Sequence, residues 1–168
     1  MPDPSPYEIQ RQQFLTQLQG VCEDRGKRAA LKRYWSDTTR HLAWPVLGGL
    51  GTIGRPSREI TAALYAVHGM HQPGPNVGAA ALTLGKMSAG AHPYDSQFRR
   101  LLASDSLHDL ATQLHRLTKR LEREGEPLDY GRLLQDLELW SKHSRKVKER
   151  WALAFWQASQ TEPNADAP

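Results

Sequence analysis

The chain has 168 residues, with 22 Lys and Arg against 18 Asp and Glu and a formal net charge of +4 at pH 7. That length suits one compact domain that needs no disulfide or metal for stability, and Cys22, the one cysteine, excludes an internal disulfide and suits a reducing cytoplasm. No apolar run is long enough to span a membrane, and the opening Met1-Pro-Asp-Pro-Ser-Pro6 has neither the basic nor the apolar region of a signal peptide.

In chain order, Tyr7, Phe14, Leu15 and Leu18 predict an amphipathic opening helix. A second helix is predicted over about 23–36. It carries the densest charge in the chain: Arg25, Lys27, Arg28, Lys32 and Arg33, with no acid among them. At helical spacing Arg25, Arg28 and Lys32 share one face. Leu31 and Tyr34 share another, with the Lys27 stem beside them and Trp35 at the border. One face can pack while its neighbour meets a phosphate backbone; the alternative is a solvated basic helix that binds nothing.

The Gly-rich stretch 45–56 reads as a flexible loop between helices. Within it, Gly49-Leu-Gly51-Thr-Ile-Gly54 matches G-x-G-x-x-G. A dinucleotide site needs a strand before those glycines and a helix opening on them. Trp44-Pro45 precedes and Arg55-Pro56 follows, so the match is read as accidental. Ser57 is expected to cap a helix carrying Ile60, Leu64 and Val67, which the segment from His68 to Pro75 breaks. Short helices are predicted near 77–88 and 94–103.

The strongest prediction is a helix over about 105–124. Leu107, Leu110, Leu114, Leu117 and Leu121 form a narrow apolar seam, and Arg116, Lys119, Arg120 and Arg123 fall opposite it. Gly125 and Pro127 end it. Leu128, Leu133, Leu134, Leu137 and Trp140 mark the next helix. A last helix carries Val147, Trp151, Ala154, Phe155 and Ala158, with Lys142, Arg145 and Lys146 on its other side. The polar tail 159–168 is expected to fray.

No segment alternates with period 2, and β-branched residues are scarce. The expectation is an all-α, compact helical bundle of about eight helices in two packed halves, 1–92 and 93–158, forming one structural unit without a sheet.

Catalytic patterns are weak. His68 and His71 straddle a glycine, and His108 and His115 lie seven apart on one helix, so surface or capping roles are expected. Asp105 and Asp109 could hold one Mg²⁺ in a nuclease, but acids also belong at a helix start. No catalytic residue, metal site or cofactor is assigned. Three helices with like-signed faces point instead to a polyanion, bound without a base-reading code. The alternative is a helical scaffold whose cations bind an acidic protein partner.

Several stretches, taken together in order and spacing, resemble the CasB family, the small subunit of the type I-E CRISPR Cascade surveillance complex. They are Arg25-Gly-Lys-Arg-Ala-Ala-Leu-Lys-Arg33, Thr61-Ala-Ala-Leu-Tyr-Ala-Val-His68, Thr83-Leu-Gly-Lys86, Gln97-Phe-Arg-Arg-Leu-Leu-Ala-Ser-Asp105, Gln113-Leu-His-Arg-Leu117 and Leu128-Asp-Tyr-Gly-Arg-Leu-Leu-Gln-Asp-Leu137. The resemblance covers roughly residues 8–157. It implies an all-α, non-enzymatic subunit, present in two copies in a crRNA-containing complex and touching the large and backbone subunits. Its basic faces would hold the target DNA and displaced strand of the R-loop, while guide pairing reads the sequence.

On the residues that match, Arg28, Lys32 and Arg33 take the family's basic positions in the first block. Lys86 matches one after Leu84-Gly85, Arg116 one in the long helix, and Lys142 and Arg145 the segment after Trp140. Two positions depart. Gln97 and Ser106 stand where the resemblance leads one to expect cations, and Arg99 and Arg100 are expected to take over for the first.

Overall fold

The computed structural model describes residues 2–85 and 92–157. Within them lie eight α-helices: α1 (Pro6–Cys22), α2 (Arg25–Lys32), α3 (Trp44–Gly49), α4 (Pro56–His68), α5 (Val77–Leu82), α6 (Asp95–Leu102), α7 (Leu107–Glu124) and α8 (Tyr130–Ala152). No strand occurs among the described residues, only an isolated bridge between His71 and Leu128. The all-α expectation therefore holds. None of these helices is long and apolar enough to cross a membrane.

Short polar side chains set most of the helix starts. Ser5 and Glu8 form a reciprocal capping box on α1. Asp24, Asn76, Ser106 and Asp129 each accept a backbone N–H from the first turn of α2, α5, α7 and α8. The expected cap at Ser57 is not used. The helix already starts at Pro56, which has no N–H to satisfy, and Ser57 sits inside its first turn.

Other boundaries also differ from the sequence reading. The second helix stops at Lys32 and gives way to 3₁₀ turns at Arg33–Trp35 and Arg40–Ala43. The first half of the Gly-rich stretch is helical, as α3, and its chain reverses at Gly51 and Gly54, both at positive φ. The helix predicted at 77–88 ends at Leu82, and residues 86–91 lie outside the described residues, as do Ala158 and the tail. Tyr7 is 72% exposed, because α1 enters the core only from Phe14 onward, through Phe14, Leu15, Leu18 and Cys22.

α8 joins the last two predicted helices end to end, with no Gly or Pro between Trp140 and Val147 to open a loop between them. It kinks at His143 (φ −135°, ψ 34°) and runs into a π turn, Leu153–Gln157. Asp136 clamps the kink: it accepts from Trp151 Nε1 at 2.8 Å and from Arg150 Nη2 at 3.0 Å. Burial pushes the Asp136 carboxyl above its ordinary value, and those two donors oppose the shift.

At the centre stands α4, buried from Ile60 to Ala66 and again at His68. Ala62, Ala63 and Ala66 let its neighbours approach closely, and α2, α7 and α8 all pack on it. Elements on both sides of residue 92 therefore share one core. Trp35 seats the aromatic turn after α2: its Nε1 donates to the Ala63 carbonyl at 3.2 Å, and its ring stacks on His115 of α7 with centroids 4.2 Å apart. Burial, helped by Lys119, pushes the His115 ring down to about 4.

Two expectations follow from this packing. At Gly78 on α5 a Cβ would overlap the Trp151 carbonyl oxygen, which is backbone and cannot swing aside. Gly78→Ala is therefore expected to lower stability by about 1–3 kcal/mol, read as a lower urea midpoint at unchanged slope. The second concerns pH. His115 takes a proton near 6.5 when unfolded and near 4 when folded, so its contribution is whole above pH 6.5 and is lost as pH falls from 6.5 towards 4. His115→Phe keeps a stacked ring without the titration. It is expected to flatten, in part, the fall of Tm across that window; buried His68, whose ring is shifted the same way, adds to the fall, and the raised Asp136 carboxyl opposes it.

Candidate nucleic-acid interface

The first basic block divides on folding. Arg25, Lys27, Lys32 and Arg33 are exposed. Arg28 is not outward with Arg25 and Lys32: its Nε donates to the Ala66 carbonyl at 2.7 Å, and its guanidinium lies against Gly69. It satisfies an orphan carbonyl in the last turn of α4, a role open to arginine wherever a helix C-terminus comes within reach. Its reason lies in the tertiary fold and is absent from the local pattern.

The second block gathers more tightly than the sequence suggests. On α7, Gln113, Arg116, Arg120 and Arg123 follow one another at spacings of 3, 4 and 3; on α6, Tyr94, Gln97 and Arg100 follow at 3 and 3. These two stripes face each other across a groove of about 400 Å³. Among the described residues four guanidinium groups line it against a single carboxylate, Glu124. Arg120 is held in place: its Nη1 donates to Gln97 Oε1 at 3.2 Å, its Nε stands 3.8 Å from Glu124, and it lies over the Tyr94 ring at 5.4 Å. Burial pushes the Tyr94 hydroxyl up to about 12, so the ring beneath Arg120 stays neutral. Sequence reasoning missed Tyr94, Gln97 and Gln113 as groove residues. The i, i+3, i+6 spacing of Tyr94, Gln97 and Arg100 was the available signal.

The remaining cations stand apart from this groove. Lys119 is exposed on the flank of α7 towards His115. Arg99 pairs with Asp95 at 2.6 Å and lies over Trp156, whose Nε1 donates to the same carboxylate. The Arg99 bond, with that from Trp156, holds the Asp95 carboxyl below its ordinary value. Lys142, Arg145 and Lys146 are exposed opposite buried Val147, Trp151 and Phe155, as their spacing predicts, and Arg145 pairs with Glu149 at 3.1 Å. Lys86 lies outside the described residues.

The histidines read as surface or capping residues divide too. His68 is buried: its Nε2 donates to the Glu126 carbonyl at 2.6 Å, and its Nδ1 is hydrogen-bonded with Tyr130 Oη at 2.9 Å. His71 does act at a helix end, accepting the Tyr130 N–H at 3.1 Å. Asp109 lies in the first turn of α7, where Ser106 caps its N–H. Among the described residues no three His, Cys, Asp or Glu side chains gather into a metal-binding group.

These features define an all-helical protein with a preformed cationic groove between two of its helices. The chain belongs to the Cse2 family: the family model for CRISPR-associated protein Cse2 matches residues 27–156. A CRISPR-associated protein Cse2 from Thermus thermophilus is 31% identical over 109 residues, covering 64% of this chain and 60% of that protein, less than two thirds of its length. The crystal structure of CasB from Thermus thermophilus matches at 28% identity and a TM-score of 0.69, over 92% of this chain and 99% of that one. A chain of a CRISPR RNA-guided surveillance complex shares the fold at 20% identity and a TM-score of 0.73, over 92% and 96%. The family is the one that the residue stretches pointed to.

Proposed function

We propose that this protein is a non-catalytic subunit of a crRNA-guided surveillance complex of the Cascade type, working in the cytoplasm, and that it holds the opened DNA of the R-loop by its sugar-phosphate backbone. The observation that carries this reading is the α6–α7 groove, where Arg100, Arg116, Arg120 and Arg123 stand against one carboxylate. Guanidinium forks match phosphate oxygens, and a groove that already holds Arg120 in place spends less ordering on capture. The sequence carries no base-reading motif, so the guide would read sequence while this surface contributes affinity. Family membership supports the assignment to CRISPR defence, and the shared fold with a chain of a surveillance complex supports assembly with large and backbone subunits and a second copy.

A second reading, contact with an acidic protein, has one observation of its own. Leu42, Trp44 and Ile53 are about half exposed within one short segment that also carries exposed His41 and Arg55. This patch suits a neighbouring subunit and lies outside the groove. Duplex DNA and heparin should both displace a nucleic acid from the groove, whereas duplex DNA should not displace a protein held by shape.

Arg100, Arg116 and Arg123 are exposed and lie off the leucine seam, so replacing all three with Ala should leave the fold intact. The expected result is weaker binding to DNA of any sequence, with the slope of log K against log salt reduced by about 2–3, since each lost phosphate contact removes about 0.7–0.9. An unchanged slope in a salt titration would falsify the backbone-holding reading.

A further inference from the structure

A second concavity lies on another flank of α7, and backbone holding does not account for it. It measures about 340 Å³, within the range of small-ligand pockets. Tyr34, Trp35 and Arg40 line one side, His108 and Thr112 line the other, and exposed Asp37 stands with them. Buried Ile60 and Ala111 also line it and supply apolar surface.

Its chemistry is unlike that of the arginine groove. The one arginine is already engaged: Arg40 Nε donates to the Tyr34 carbonyl at 2.9 Å, Nη2 stands 3.2 Å from Asp37, and the guanidinium lies 4.8 Å over the Tyr34 ring. A phosphate here would face the Asp37 carboxylate. A flat, uncharged ring with donors and acceptors on its edge fits better. The apolar lining and the ring faces that His115 and Arg40 leave open suit its faces, while Asp37, His108 and Thr112 offer polar partners.

The position agrees. Thr112 of the cleft and Arg116 of the groove are one turn apart on α7, about 6 Å of helix rise. Exposed Lys32 and Arg33 directly precede the Tyr34–Trp35 wall. We propose that the cleft receives an unstacked base of single-stranded nucleic acid whose backbone passes Arg116. This inference rests on the backbone-holding reading and adds to it a base contact that any base could make.

Thr112 is exposed, and its hydroxyl bonds back to the His108 carbonyl, so Thr112→Trp fills the cleft from outside the core. The full chain would be titrated with a labelled single strand and with an abasic strand of the same length, at several salt concentrations. The unaltered protein is expected to favour the base-bearing strand by about 5- to 150-fold, the range of one base–aromatic stack. Thr112→Trp should erase that preference and leave the salt slope as it was. His108→Trp, on the same side of the cleft, should do likewise and guards against a fault peculiar to the first variant.

A preference that survives both substitutions, or is missing from the unaltered protein, overturns the cleft while an intact salt slope leaves backbone holding in place. Absence of any salt-dependent binding by the unaltered protein removes both. Variants that keep the preference but no longer join partner subunits would assign the cleft to a protein side chain and overturn it as well.

Discussion

The close approach of α2, α7 and α8 to the small-residue faces of α4 is the constraint from which the surface follows. Ala62, Ala63 and Ala66 are fully buried, and larger side chains there would force the neighbouring helices apart. Two side chains from the first basic block anchor on α4 backbone carbonyls: Arg28 on Ala66 and Trp35 on Ala63. With those two turned inward, Arg25, Lys27, Lys32 and Arg33 are left on the outside. Stacking of Trp35 on His115 then sets the aromatic turn against α7. The charged exterior is thus positioned by an uncharged interior.

Four arginines in one groove repel one another, and the structure shows what makes the arrangement tolerable. Arg120, the most enclosed, has a neutral hydrogen-bond acceptor in Gln97, a ring face in Tyr94 and a carboxylate in Glu124. A cation over a ring is worth about 0.5–1 kcal/mol at an exposed site and about 2 kcal/mol where water is excluded, so these contacts offset part of the repulsion. Arg100, Arg116 and Arg123 remain exposed to water, where screening limits its cost. Among the described residues only the Glu124 carboxylate lines the groove, and its second oxygen is drawn away to the Gly85 N–H. The groove therefore keeps a positive field available to an anion.

What could be read from the sequence was whatever depends on local spacing. The leucine seam of α7 is buried from Leu110 to Leu121 as its period predicts, with Leu107 only partly covered. The cations opposite Val147, Trp151 and Phe155 are exposed for the same reason. What could not be read depends on partners far along the chain. The inward turn of Arg28 needs a carbonyl 38 residues away, and burial of His68 needs Tyr130 and Glu126, each about 60 away. The kink at His143 is clamped by Asp136, which has no signature within a helical pattern. The groove lies between these cases: each stripe is periodic, but their facing across α6 and α7 is tertiary.

Gln97 and Ser106, where the family resemblance leads one to expect cations, show how local chemistry and surface charge trade against each other. Ser106 caps α7, accepting the Asp109 N–H at 3.0 Å, and a long basic side chain cannot fill that role. Gln97 faces Arg120 at 3.2 Å; a fifth cation there would lose that acceptor and add repulsion to a groove already holding four. Arg99 is held beside α6 by Asp95 and Trp156. Arg100 sits three residues after Gln97 on the same stripe and lines the groove. The polar side chain at 97 orients the arginine opposite.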